Sequence, residues 1–242
     1  MANWSDPRAT AAPRPTTVGA REAAFDAGLR SYMLSVYNYM ASGVLLTGIV
    51  AMLFANSGMA AQVLTTPLRW IIMLAPLAFV MVLSFGINRL STGTAQALFW
   101  AFAVAMGLSL SSIFLVYTGT SIAQTFFATA AAFGGLSLFG YTTKKDLSGL
   151  GTFLIMGVVG LLVAMLINIF LQSPVMQLVI SGVGVLLFAG LTAYDTQKIK
   201  SVYSQVQGTE FVGKSVIMGA LTLYLDFVNM FTFLLNFMGD RR

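Results

Sequence analysis

The chain has 242 residues, 57% of them apolar and only 9% charged, with a formal net charge of +5. Soluble domains carry about a quarter charged residues, so an ordinary water-soluble fold is excluded. There is no cysteine and no histidine, which removes disulfide and thiol chemistry, imidazole metal sites, Ser-His triads and the imidazole pH switch.

Residues 1–20 hold Pro7, Pro13 and Pro15 among small polar residues, a composition that predicts a disordered tail ahead of a membrane domain over 21–242. The first apolar stretch begins near Met33 and runs too long for the h-region of a cleavable signal peptide. Apolar segments of helical length follow at 31–56, 68–89, 94–118, 121–142, 150–172, 175–200 and 212–238. Turn chemistry separates them: Asn56-Ser57-Gly58 and Thr66-Pro67, Ser91-Thr92-Gly93, Thr118-Gly119-Thr120, Lys144-Lys145-Asp146, Ser173-Pro174, and the polar stretch Ser201–Glu210. The interval Leu90–Thr143 has no charged side chain, and is long enough for two spans of roughly 20 residues. The expected fold class is therefore all-α, a polytopic membrane protein with seven transmembrane helices.

Charge orients the spans. With the N-terminus cytoplasmic, ten Lys and Arg residues fall inside, and Arg69, Arg241 and Arg242 fall outside. A rival arrangement folds the last segment back as a re-entrant hairpin, which the two terminal arginines would favour. The basic residues are scattered over a tail and short loops, so no nucleic-acid surface is expected.

Asp195 and Asp226 are the only acidic residues inside long apolar stretches. An ionised carboxylate at membrane depth costs roughly 2.5–3.5 kcal/mol on insertion scales, so such residues face protein or water. If the sixth span runs on toward Ser204 and the seventh begins near Val212, the two form an antiparallel hairpin in which the aspartates lie at one depth. Gly219, Thr222, Asp226, Asn229 and Phe233 share a helical face, with Thr222 and Asn229 as supporting polar groups. Thr192 and Lys198 flank Asp195. Two adjacent carboxylates in a low-dielectric setting cannot both stay ionised cheaply, and they titrate as a unit. The doubly charged pair needs a cation: an arginine, sodium, or an oxygen-seeking divalent ion such as calcium, for which Asp195 and Asp226 would be weak metal contacts. The opposing reading makes both aspartates hydrogen-bonded helix glue.

The segments FAGLTAYDTQKIK and MGALTLYLDFVNMFTFLLNF, with the loop GYTTKKDLSGLGTFL, resemble the signature of the Bax inhibitor-1 (transmembrane Bax-inhibitor-motif) family, bacterial members included. The resemblance spans about residues 22–240. It implies a bundle with the last helix central and a pH-sensitive calcium leak whose sensor is Asp195 in YDTQ and Asp226 in LYLDF. It also implies a basic latch at the inner end of the second span, for which Arg89 is the candidate; the alternative for Arg89 is a membrane anchor.

The expected function is thus a cation leak through the lipid bilayer, with calcium ions and protons as partners and no resident cofactor. A bacterial plasma (inner) membrane is the expected location. The alternative is a regulator without transport activity, acting on a membrane-bound ATP-dependent protease or a stress or cell-death pathway. An enzyme is not expected: Tyr194-Asp195 matches one half of an intramembrane aspartyl protease, but Asp226 stands in LYLD rather than GxGD.

Overall fold

A computed structural model describes residues 17–242. Eight helices follow one another: α1 Thr17–Asn56, α2 Met59–Leu64, α3 Leu68–Gly86, α4 Thr92–Val116, α5 Gly119–Thr142, α6 Ser148–Leu171, α7 Pro174–Val206 and α8 Phe211–Met238. Seven are long and apolar enough to cross a bilayer, and α2 is a one-and-a-half-turn linker in what the sequence suggests is only a turn. Expected and observed span ends agree within a few residues, with two exceptions. Both exceptions have one physical cause.

The helix α1 starts 14 residues before the expected position, and α7 runs six residues past it. Hydropathy marks where the chain is apolar, not where the helix stops. Residues 17–30 are rich in strong helix formers, and the two overhangs stabilise each other through aromatic packing. Tyr203 near the end of α7 stacks between Phe25 and Tyr32 of α1, with ring centroids 5.3 and 5.2 Å away. Gly28 allows this approach, since a Cβ there would strike the Tyr203 hydroxyl. The expected tail boundary at residue 20 thus falls within α1, and residues 1–16 lie outside the described part.

The last helix is the centre of the bundle. Ile217, Ala220, Leu223, Tyr224, Met230 and Leu235 of α8 are almost completely buried. Helices α1, α4, α5 and α7 pack directly on α8, whereas α3 leans on α4 and α6 leans on α7. Phe85 on α3 and Met156 and Phe170 on α6 are at least 70% exposed, which makes these outer helices lipid-facing.

The continuous 28-residue α8 is about 42 Å long, enough to cross a hydrocarbon core of about 30 Å. Its C-terminus is tied to the α4–α5 turn, at the end of the bundle remote from the α7–α8 turn. There Thr118 N–H donates to the Asp240 carbonyl at 3.1 Å, Arg242 N–H to the Val116 carbonyl at 2.9 Å, and Tyr117 Oη to Asn236 Oδ1 at 2.8 Å. A helix that starts at one face and is fastened at the other spans; it does not re-enter.

Candidate functional site: a carboxyl pair between the last two helices

The site is built by the α7–α8 hairpin. Ser173 caps α7 by accepting from Met176 N–H at 3.3 Å, and Pro174 occupies the first turn, where its missing N–H costs nothing. At the other end, Gly208 takes φ +75°, a left-handed conformation that favours glycine, and the chain reverses into α8.

Close contacts set the register between the two helices. Gly219 faces Ile199, Phe233 fills the space above Gly184, and Phe237 lies beside Gly182. The Phe188 and Phe233 rings stack at 5.8 Å. These contacts bring the stretch of α8 around Asp226 against the stretch of α7 that carries Thr192 and Asp195.

Helix geometry turns the two aspartates toward each other. Side chains lean toward the N-terminus of their own helix, and α7 and α8 run in opposite directions. Asp195 leans away from the bend and Asp226 toward it, so the two carboxyls come within hydrogen-bonding reach of each other. Such a bond exists only when one carboxyl holds a proton. Asp226 is 4% exposed, and its Oδ2 finds no donor among the described residues. Asp195 is half-buried, with Lys198 as the nearby cation. Because α7 continues three turns beyond Asp195, the carboxyl does not oppose the C-terminal end of a helix dipole.

The other sequence candidates sit differently. Thr222 Oγ1 donates to the Met218 carbonyl at 3.1 Å and Asn229 Nδ2 to the Leu225 carbonyl at 2.8 Å, so both are spent on their own helix. Arg89 is exposed in the α3–α4 turn and is not among the groups acting on either aspartate. Among the described residues no cluster of three or more metal-ligating side chains exists. Two carboxyls supply fewer oxygens than the six to eight of a calcium shell.

The rest of the YDTQKIK motif holds neighbouring helices around the pair. Thr196 shares a 2.9 Å hydrogen bond with Ser137 of α5, which shares another of 2.6 Å with Tyr37 of α1. Gln197 grips the α5–α6 loop from both sides: its Oε1 accepts from Leu147 N–H at 2.9 Å, and its Nε2 donates to the Lys145 carbonyl at 2.8 Å. Lys200 Nζ donates to the Tyr141 carbonyl at 2.8 Å, at the C-terminal end of α5 where a cation suits the dipole. In the same loop Asp146, outside the membrane spans, is held below the usual carboxylate range by hydrogen bonds from the Ser148 hydroxyl and N–H. Sequence reasoning missed the Tyr37–Ser137–Thr196 chain because single hydroxyls in apolar helices carry no spacing signal.

Gly140 and Gly151 permit this assembly. A Cβ on Gly140 would collide with the Ala193 carbonyl of α7, and one on Gly151 with the Tyr194 ring. Both neighbours immediately precede Asp195 in the chain, so close approach at these glycines helps fix the height of the site.

Seven spanning helices, the buried last one wrapped by the other six, with a carboxyl pair at its contact with the preceding one, define an integral membrane protein of the polytopic all-helical class. Residues 29–242 match the family described as Inhibitor of apoptosis-promoting Bax1, and the chain belongs to that Bax inhibitor-like family. Among its relatives, the inner membrane protein YbhL of Escherichia coli strain K12 is 48% identical over 220 residues, covering 89% of this chain and 94% of YbhL. The uncharacterized protein RP147 of Rickettsia prowazekii is 46% identical over 228 residues, 93% of this chain and 96% of its own. A protein of Deinococcus radiodurans is 45% identical over 214 residues, covering 88% and 92%.

Proposed function

We propose that this protein is a pH-sensitive cation leak channel, with calcium as the permeant ion, gated by Asp195 and Asp226, and not an enzyme. The supporting observation is the carboxyl pair itself: two acids in reach of each other between spanning helices, one of them with an oxygen that no donor among the described residues serves. While the pair shares a proton, the carboxyls attract and hold α7 against α8. Without it, two negative charges face one another in a low-dielectric setting, and they separate or take up a cation. Calcium passes as cargo, partly hydrated, since two carboxyls supply only part of its shell. The proton is the regulator and no cofactor takes part.

Arg89 has a secondary place in this reading. A latch requires the basic end of α3 to approach α7, and α3 is an outer helix packed on α4. In the structure Arg89 stands apart, as an anchor at the membrane surface would.

The membrane is the bacterial inner membrane, as in the printed name of YbhL, with the N-terminus cytoplasmic by the distribution of Lys and Arg. Calcium flux into proteoliposomes as a function of pH tests the leak. Asp195→Asn and Asp226→Asn should each flatten the pH response, and unchanged flux and pH dependence in both variants would sink the proposal.

A second reading draws on the family description, an inhibitor of apoptosis-promoting Bax1. On it the chain is a membrane-embedded regulator of a stress or cell-death pathway or of a membrane-bound ATP-dependent protease, with the tail over residues 1–20 as the handle and the aspartates as structural groups. Deleting residues 1–20 separates the two, because a leak through the bundle survives the deletion and a tail-mediated interaction does not.

A further inference from the structure

The helices α1 and α5 both pack on α8 but meet each other only sparsely, with the Tyr37–Ser137 hydrogen bond between them. The gap between them is divided by Phe133 of α5, which meets Phe227 of α8 edge-on at 5.5 Å. On the side of the C-terminal strap lies a cleft of about 430 Å³, walled by apolar side chains. The lone hydroxyl there, on Thr47, is already bonded to the Ala103 carbonyl and Tyr224 Oη. On the basic side lies a cleft of about 600 Å³ with a different mouth. Its walls are Met33 and Leu34 of α1 and Phe133 and Leu138 of α5, and exposed Arg30 stands at its rim. Tyr141 borders the same cleft and carries a second cation, since Lys200 Nζ lies 4.9 Å from its ring centroid and on its carbonyl.

We propose that the basic-side cleft between α1 and α5 binds an anionic phospholipid of the bilayer, with one acyl chain lying between the two helices and the headgroup phosphate at Arg30. Three observations specify this occupant. The cleft opens sideways from a bundle whose surroundings are hydrocarbon, so its apolar walls face lipid rather than water. Two cations stand at the end where a headgroup would lie, and anionic lipids are drawn to such sites at membrane surfaces. The Tyr37–Ser137 hydrogen bond lies about 10 Å along α1 from Arg30 and satisfies the polar atoms of the back wall, leaving the depth of the cleft apolar. The outer cleft, walled by α4 and α8 as well as α1 and α5 and with no cation in its lining, provides an internal control. The inference does not depend on cation transport.

Two glycines make the test clean. A Cβ at Gly134 in the basic-side cleft, or at Gly48 in the outer one, meets nothing within 4 Å. Leucine at either position fills its cleft while the helix keeps its packing, and replaces a poor helix former with a good one. The full-length protein is placed in phosphatidylcholine nanodiscs with a trace of phosphatidylglycerol carrying a photoreactive group in one acyl chain, and labelled peptides are mapped by mass spectrometry. Labelling should concentrate on residues 30–37 and 134–141, and a phosphatidylcholine probe should not reproduce it.

Gly134→Leu should lower that labelling about tenfold, equivalent to excluding roughly two methylenes of an acyl chain. Arg30→Gln, a surface change that leaves the fold intact, should lower it about fivefold. Gly48→Leu should leave it unchanged. Labelling spread evenly over the lipid-facing surfaces of α3 and α6 would overturn the proposal. So would equal labelling by the two probes, or indifference to both Arg30→Gln and Gly134→Leu.

Discussion

Tyr224 and Asp226 stand two residues apart on α8, are buried to nearly the same degree, and have opposite hydrogen-bond circumstances. Tyr224 Oη shares a 2.7 Å hydrogen bond with Thr47, which donates at 2.8 Å to the Ala103 carbonyl, and Phe102 packs edge-on at 5.0 Å. Every polar atom in that cluster has a partner, and the cluster ties α1, α4 and α8 together. Asp226 faces another acid, and its Oδ2 has no donor among the described residues unless the pair shares a proton. A satisfied buried polar group rigidifies a bundle, whereas one whose bonding depends on a shared proton changes with protonation. The first cluster reads as glue and the second as a working site, although the sequence presents both as polar residues in an apolar helix.

The comparison is broken most forcefully at Asp226. Asp226→Asn should remove the pH response of calcium flux, a loss of about tenfold per pH unit if one proton controls opening. It should leave thermal stability in detergent unchanged or raised, because a buried acid is replaced by a neutral amide. A large fall in stability with normal flux would move Asp226 into the same class as Tyr224. Tyr224→Phe should do the reverse, lowering stability by about 0.6–1.7 kcal/mol, the span measured for hydrogen bonds between membrane helices, with the pH profile of flux intact. A double-mutant cycle with Thr47→Val checks that the coupling belongs to this pair.

Ser137→Ala should cost about 1.2 kcal/mol, roughly 0.6 for each of the two hydrogen bonds it removes between α1, α5 and α7, without touching either carboxyl. The smallest effect is expected from Asp146→Asn. The folded-state pKa of Asp146 is depressed, so its contribution is complete above the unfolded carboxylate value and is lost only as pH falls through the folded one. A flux response near neutral pH should therefore be identical in Asp146→Asn and in the native chain. A changed response would transfer the pH sensing from the pair to the α5–α6 loop.

Particular residues show how far the sequence could be read. Asp195 and Asp226 stood out because a carboxylate in hydrocarbon is costly wherever it occurs, and the polar stretch between them signalled a hairpin. Thr222 and Asn229 share a face with Asp226, yet both donate to carbonyls one turn back on α8. Spacing along a helix tells which side chains share a face; it does not tell whether they bond to a neighbour or to their own backbone. The overhang of α7, fastened by Tyr203, was hidden for a related reason. Its stabilising partners Phe25 and Tyr32 are over 170 residues away in the chain.

By itself, the sequence determined the quantities that depend on local composition: seven spans, their ends to within a few residues in most cases, and the two acids that hydrocarbon cannot leave alone. Hydrophobic length and charge are properties of a segment, so they survive without knowledge of its neighbours. Tertiary structure alone decided the meeting of Asp195 and Asp226, the fully bonded state of Tyr224 beside the proton-dependent bonding of Asp226, and the clefts left where α1 and α5 stand apart. Each of these depends on how far one helix slides or stands away from another. That distance is set by glycines such as Gly140, Gly151 and Gly184 only once their partners are in place.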